Sequence, residues 1–429
     1  MEKLNEDFII NLSNNKGEPL WMKNFRLNSY KKFLELDNPS FGPKINIDFD
    51  NLVYHKGLFA PPSCSWENVD KKVKNTFNDL GVIEAENKYL KGVSNQYESE
   101  VIHHKMEESD GIIFLSTDEA LKKYPELFEK YFNNLVKYDE NKYTALNGAL
   151  WSGGSFIYIP PYTKVDRPLQ SYFRIDTKNL GQFERTIIIV DHDSSLHYIE
   201  GCTAKNYSTT SLHAGVVEIY VGKNSTCKYS TIQNWSKDVY NLVTKRAILE
   251  EGAYMQWVDG NIGSGVTMKY PSCILKGDNS KASSISIAYA KEGQHLDAGA
   301  KMIHLGKNTK STIISKSIAG FGGTSDYRGT VKIAKDAIGS FATIKCDNII
   351  LDNISSSNTY PKNIVENNES TLEHEATISK INEEKLNYLM SLGISEDAAK
   401  DLYVLGFMSD FKKSLPMEYA VELNRLIKE

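Results

Sequence analysis

Between Ile187 and Lys345 one short pattern recurs six times: alternating apolar residues, a tight polar turn, and a second alternating stretch. The copies read IIIVDHDSSLHYIEG, VEIYVGKNSTCKYSTIQN, RAILEEGAYMQWVDGN, SCILKGDNSKASSISIA, KMIHLGKNTKSTIISKS and VKIAKDAIGSFATIK. Their turns lie near Asp191, Gly222, Gly252, Gly277, Gly306 and Asp336, a spacing of 25 to 31 residues. Period-two alternation broken by Gly, Asn and Asp reads as strand, turn, strand. A unit this short cannot bury its own apolar face, so the copies must stack. No helical pattern separates them, which argues against a doubly wound α/β sheet. The expected fold class is mainly β: a right-handed parallel β-helix core with an N-terminal helical and loop region and C-terminal helices. In such a solenoid, residues distant in sequence stand side by side in ladders.

The pattern divides the chain into an N-terminal helical region (1–150), the β-helix core (151–379) and a C-terminal helical region (380–429). Trp21, Phe25, Tyr30, Phe33 and Leu34 form an apolar stripe that Asn38-Pro39 stops. Residues 41–66, with Pro43, Pro61 and Pro62, read as an extended connector. A capping Asp118 opens a helical stretch that Pro125 divides in two. In the tail, Gly393 ends one helix and Ser395 caps the next, with Glu396 and Asp397 in its first turn. Gly406-Phe407-Met408 interrupts that helix, and a last one follows Pro416. Pattern alone favours an end cap over a docking surface for this tail.

A net charge of −5 and a pI near 6.1, with no basic stripe, argue against nucleic acid or anionic membrane as partner. No apolar run reaches the roughly 18 residues that span a bilayer. The start, MEKLNEDFII, lacks an apolar signal core, so a cytoplasmic setting is expected, or a plastid for an organelle-encoded chain. Five cysteines without a CxxC pair read as reduced thiols, with no local zinc-finger or ferredoxin-type site. There is no GxxxxGK[ST], so the chain does not bind ATP through a P-loop, and no GxSxG elbow.

Cys202, in EGCTA, is either a small buried hydrophobe or a nucleophile; the first is the ordinary state of a free cysteine. Cys227 and Cys273 fall at packing positions. Cys346, in IKCDN, precedes Glu373-His374-Glu375 by about one solenoid turn. Thiolate, imidazole and carboxylate are all competent iron ligands. His374 points opposite to its two neighbours on a strand, so this set is incomplete without a second chain or sulfide. The bland alternative is a solvated polar edge. Thr231, Gln233 and Trp235 share one face, and Lys245 and Arg174 are cations inside strand-like sequence. Thr231, Gln233 and Trp235 line a passage or form an ordinary satisfied polar ladder, and the two cations either lower the pKa of a nearby thiol or are ordinary snorkelling surface residues. A carbohydrate-active β-helix enzyme, the remote alternative, would draw its carboxylates from Asp191, Asp193 and Glu200.

The strings YPELFEKYF, ALNGALWSGGSFIYIP, PLQSYFRID, GQFERTIIIVD, LHYIEGCTA, TIQNW, VTKRA, LEHEATISKI and GISEDAAKDLYVLGF occur in this order. In them the chain resembles the SufB family, scaffold subunits of the Suf system for iron-sulfur cluster assembly. The resemblance implies a scaffold without its own ATPase site and reverses the reading of the tail. Ile394, Leu402, Gly406, Phe407 and Met408 would dock SufC, an ABC-type ATPase. Cys202 would accept persulfide sulfur from a SufE- or SufU-like donor. Arg174, Thr231, Gln233, Trp235 and Lys245 would line the sulfur path. Cys346, His374 and Glu375 would hold a transient iron-sulfur cluster of the 4Fe-4S type, facing SufD or a second SufB copy. Reduced FAD is a further implied cofactor with no local fingerprint. The sister subunit SufD, architectural and without a cluster, is the alternative. Three departures stand out: Asp176 where Asn is common, no cysteine near Val365-Glu366-Asn367, and no N-terminal cysteine cluster.

Overall fold

A computed structural model describes residues 3–57, 59–107, 111–205 and 210–409. The helix expected after Pro416 lies outside them. Two long sheets face each other, one of ten strands and one of twelve. From Arg185 the chain crosses between them at each turn. Arg185–Val190 lies in the twelve-stranded sheet and Ser195–Ala204 in the ten-stranded one. Val216–Val221 and Thr226–Asn234 repeat the step, and so on to Ser356–Val365 and Thr371–Lys380. Neighbouring strands of this part are parallel and in register. The expected parallel β-solenoid is therefore the fold.

The six sequence copies are the first six crossings after Arg185 from the twelve-stranded to the ten-stranded sheet. Each carries one residue in the left-handed region: Asp193, Asn224, Gly252, Asn279, Asn308 and Gly339, with φ between 54° and 71°. Asn, Asp and Gly are the residues that take this conformation with least strain. At Gly252 an added Cβ would also lie 2.5 Å from Asn224 Oδ1. Gly252→Ala is expected to cost about 1–2 kcal/mol, the left-handed penalty of a residue with a Cβ. Thermal unfolding checks this, and an unchanged melting temperature would refute the strain.

Alternate residues point between the sheets and form the main core, among them Ile188, Ile219, Trp257, Met302 and Ile344. The opposite parity of the ten-stranded sheet forms a second apolar stripe: Ile199, Ile232, Val258, Ile287, Ile318 and Ile349. Helix Glu396–Phe407 covers that stripe through Val404 and the adjoining Met408. Helices Leu20–Glu35 and Lys142–Leu150 cover the outside of the other sheet, where Tyr30, Phe33 and Leu146 join Leu212 and Leu242 in one cluster.

Pro125 does separate two helices, Thr117–Lys123 and Pro125–Tyr131. The cap of the first is Ser116, not Asp118. Asp118 instead pairs with Lys16 Nζ at 2.6 Å and accepts from Gly153 N. The N-terminal region is also less helical than its sequence suggests. A hairpin, Gly92–Tyr97 with Glu100–Met106, extends the ten-stranded sheet by pairing parallel to Leu169–Ile175. It covers an edge that would otherwise expose unpaired backbone groups. At the other end, Ser356–Val365 and Thr371–Lys380 are exposed over most of their length. Among the described residues no helix is long and apolar enough to cross a membrane.

Candidate functional site

Inward-facing residues of the ten-stranded sheet include Tyr198, Glu200 and Cys202, because Ile199 faces the outer stripe. Parallel register then fixes which residues line up. Glu200, Thr231, Asp259, Ser286, Ser315 and Cys346 form one continuous row across six strands. Beside it runs a second row: Cys202, Gln233, Asn261, Ala288, Ser317 and Asn348. At about 4.8 Å per strand, the five steps from Glu200 to Cys346 span roughly 24 Å. Neither row contains a cysteine between its ends. Cys227 and Cys273 are buried in the apolar core, as their packing positions suggested.

The facing sheet supplies two buried cations to these rows. Lys245 Nζ lies 3.1 Å from Glu200 Oε1, and Lys269 Nζ lies 3.0 Å from Asp259 Oδ1. An unpaired charge in such an interior costs several kcal/mol, so each ion is paired. Glu200 also accepts from Tyr229 Oη, and Thr231 Oγ1 lies 3.5 Å away. Burial would raise the Glu200 pKa, but the Lys245 charge and the Tyr229 hydrogen bond outweigh it and hold the carboxyl below its usual value. Lys269 is lowered instead, mainly by burial. Further along, Tyr327 is fully buried close to Asp259, Ser286 and Cys346.

Cys202 is buried with Phe173, Leu180, Trp235 and Val239. Its Sγ lies 3.8 Å from Glu200 Oε1. Burial, then the Glu200 charge, push its pKa well above the ordinary thiol value, so the resting residue is a neutral thiol. Two buried donors near it have no partner: Gln233 Nε2, on the in-register neighbour, and Trp235 Nε1, in the same cluster. Arg174 stands apart. It faces away from the interior, bonding Asp176 at 2.6 Å and Thr203 Oγ1 at 3.0 Å. The charge of Asp176, unusual for the resembled family, is thus paired.

At the far end, burial pushes the Cys346 thiol up to about 12. His374, on the last strand, shares its inward parity, because Cys346 is in register with Ala376. Its Nδ1 lies 3.0 Å from Asn363 Nδ2, and its buried Nε2 has no partner. Glu375 points to the other face, 3.8 Å from Lys345. Among the described residues no three His, Cys, Asp or Glu side chains gather into a metal-binding group. Cys346 and His374 therefore offer two inward donors at an exposed end of the solenoid.

On helix Glu396–Phe407, Leu402 and Gly406 are exposed one helical turn apart. Ile394 and Phe407 are half-buried, and Met408 is spent on the sheet. Asp191 and Asp193 sit on an outer turn, bonded to Tyr158 and Asn224, while Glu200 is interior. They share no groove, which removes the glycosidase arrangement.

Comparison with known proteins accounts for nearly the whole chain. The model of the "SUF system FeS cluster assembly, SufBD core domain" matches residues 173–407, and that of the "SufBD protein N-terminal region" matches 68–171. The chain belongs to the SufBD family. It is 52% identical to the iron-sulfur cluster assembly protein SufB of Bacillus subtilis, over 99% of this chain and 92% of that protein. It is 54% identical, with the same coverage, to SufBD family proteins of Staphylococcus saprophyticus and Staphylococcus aureus. Within the family it is of the SufB kind, and its work is iron-sulfur cluster assembly in the SUF system.

Several residues of this SufBD interior escaped the sequence reading. Lys269 and Asp259 lie within apolar strands and look like snorkelling or edge residues. His213 ends the short strand Ser211–His213, Glu184 lies between strands, and Asn241 sits in Val239–Leu249 ahead of the third copy, so all three fall outside the six copies. Parity hides Lys269, which alternates with apolar Val266 and Met268; only register shows it as the one charged residue in the row Val243–Lys269–Ala298–Tyr327.

Proposed function

We propose that the chain is the scaffold on which SUF clusters are built, taking up sulfur at Cys202 and holding the nascent cluster at Cys346. The observation that supports this is the pair of inward polar rows with a cysteine at each end and none between. The Cys202 thiolate attacks the outer sulfur of a donor persulfide, R–S–SH. The donor S–S bond breaks, Cys202–S–SH forms, and R–S⁻ leaves with the electron pair, so no net oxidant is needed. The donor is a SufE- or SufU-like protein. Arg174, on the outer face beside Thr203, belongs to the entrance. Thr231, Gln233, Trp235 and Lys245 line the start of the inward route.

At the other end, Cys346 and His374 receive iron and sulfide, and Glu375 joins them on rearrangement. The exposed terminal strands pair this end with SufD or a second copy of the chain, which supplies the missing donors. SufC docks on the tail through Leu402 and Gly406, with Ile394 and Phe407 at the margin and Met408 anchoring the helix from behind. ATP-driven closure of two SufC subunits shifts the interface between two states. The cargo is of the 4Fe-4S type. Reduced FAD is retained only as an electron source, with no residue assigned to it. Five free cysteines suit a reducing cytoplasm.

Anaerobic reconstitution with iron, sulfide and reductant tests the scaffold reading. Wild type is expected to form a cluster with a visible charge-transfer band. Cys346→Ser is expected to bind at least about tenfold less iron and sulfide, as loss of a ligand should exceed loss of a ligand's outer partner. An equal cluster on both chains would move the ligands elsewhere. No cluster on wild type, with SufC ATPase still stimulated, would make the chain an architectural, SufD-like subunit.

A further inference from the structure

Gln233 is the in-register neighbour of Cys202, and its amide is held from one side only. Two donors converge on Oε1: Asn241 Nδ2 at 2.7 Å and Lys269 Nζ at 3.2 Å. A lysine ammonium can only donate, so the oxygen of this amide must face it, and Nε2 must face the other way. Both donors are themselves fixed. Lys269 is anchored by Asp259. Asn241 Oδ1 lies 2.8 Å from His213 Nδ1, and His213 Nε2 lies 2.8 Å from Glu184 Oε1. Burial would lower the His213 pKa, but the Glu184 charge and hydrogen bonds raise it, favouring an imidazolium paired with Glu184. Every member of this chain is buried. His213 also packs on the Trp235 ring, with centroids 4.6 Å apart.

Each buried orphan donor costs about 1–3 kcal/mol; Asn95 Nδ2, Trp151 Nε1 and Arg185 Nε are others in this fold, and Gln233 Nε2 and Trp235 Nε1 are set apart by adjoining Cys202. Here an elaborate network satisfies the acceptor of Gln233 and leaves its donor free, together with the Trp235 indole N–H. We infer that Glu184–His213–Asn241 and Asp259–Lys269 are two arms of a clamp whose task is to present the Gln233 amide N–H group to the sulfur bound at Cys202. The ligand is the terminal sulfur of the Cys202 persulfide, an anion that a pair of buried N–H donors stabilises. Gln233 touches that sulfur. Glu184, His213, Asn241, Asp259 and Lys269 act through it as positioning residues. The inference rests on the reading of Cys202 as sulfur acceptor.

Glutathione persulfide is the probe. The initial rate of persulfide formation on the Cys202 peptide is followed by mass spectrometry after alkylation, on the full chain. Gln233→Leu and Asn241→Leu are each expected to load about tenfold more slowly, and the double variant no more slowly than Gln233→Leu, because the two act as one unit. A hundredfold loss in the double variant would mean two independent structural defects and overturn the clamp, as would normal loading in either single variant. Cluster formation from free iron and sulfide should stay at the wild-type level in all three, a readout that a misfolded core would lose. If Asn241→Leu does not fold, Lys269→Met/Asp259→Leu removes the other arm and must show the same non-additivity with Gln233→Leu. The control Cys202→Ala separates the two claims. Undiminished sulfur on that chain refutes the acceptor reading itself, whereas loss there with an additive double variant refutes only the clamp.

Discussion

Lys245→Met is expected to destabilise the solenoid by about 3–5 kcal/mol, the cost of leaving one partner of a buried ion pair uncompensated. Its side chain is fully buried, and among the described residues its partner Glu200 has no second cation within hydrogen-bond distance. Methionine matches the stem of lysine in length, so little packing is lost and the effect is electrostatic. The pH dependence should change sign. In the wild type the Glu200 pKa is held below its unfolded value. That stabilisation is complete above the unfolded pKa and fades as pH falls through the folded one. Without Lys245, burial dominates and the folded pKa rises above the unfolded value. The native state then binds the extra proton, and the variant loses stability as pH rises from the unfolded towards the folded pKa. Lys245→Met/Glu200→Gln should recover most of the loss. Thermal melts at two pH values decide it. A variant whose stability follows the wild-type pH trend would show that Glu200 finds another counter-charge.

The solenoid was legible because its turns repeat. Asp193, Asn224, Gly252, Asn279, Asn308 and Gly339 mark six crossings with residues chosen for positive φ, and alternation on either side of them marks the strands. The hairpin Gly92–Tyr97 and Glu100–Met106 was not legible: its strands carry Ser94, Asn95, Gln96 and His103 at buried positions, so the binary pattern fails there. The two ends of the candidate site were visible as cysteines and as family motifs. Its middle was not. Asp259 and Lys269 are ten residues apart in sequence, and only the register of two different sheets brings them to 3.0 Å. Conversely, the family resemblance grouped Arg174 with the sulfur path, and strand parity sets its side chain on the outer face. Ladder positions are a property of register, which one strand's sequence does not encode.

Cys202→Ala is expected to abolish sulfur loading while leaving the scaffold intact. The substitution removes one sulfur atom from a cluster of Phe173, Leu180, Trp235 and Val239, a loss of about 1 kcal/mol in stability. SufC stimulation and cluster formation from free sulfide at Cys346, roughly 24 Å away along the rows, should persist. Reactivity of the wild type carries a further signature. The nucleophile is the thiolate, and burial with the Glu200 charge holds Cys202 protonated at neutral pH. Each unit of rising pH below the thiol pKa multiplies the thiolate fraction tenfold, so loading should climb steeply from pH 6 to pH 9. A pH-independent rate would mean that an opening of the Cys202 end, rather than deprotonation, limits uptake. Loading of Cys202→Ala at the wild-type rate would place the acceptor elsewhere, with exposed Cys64 the first residue to examine. Loss of the free-sulfide cluster in the same variant would instead make Cys202 part of the structure that supports Cys346.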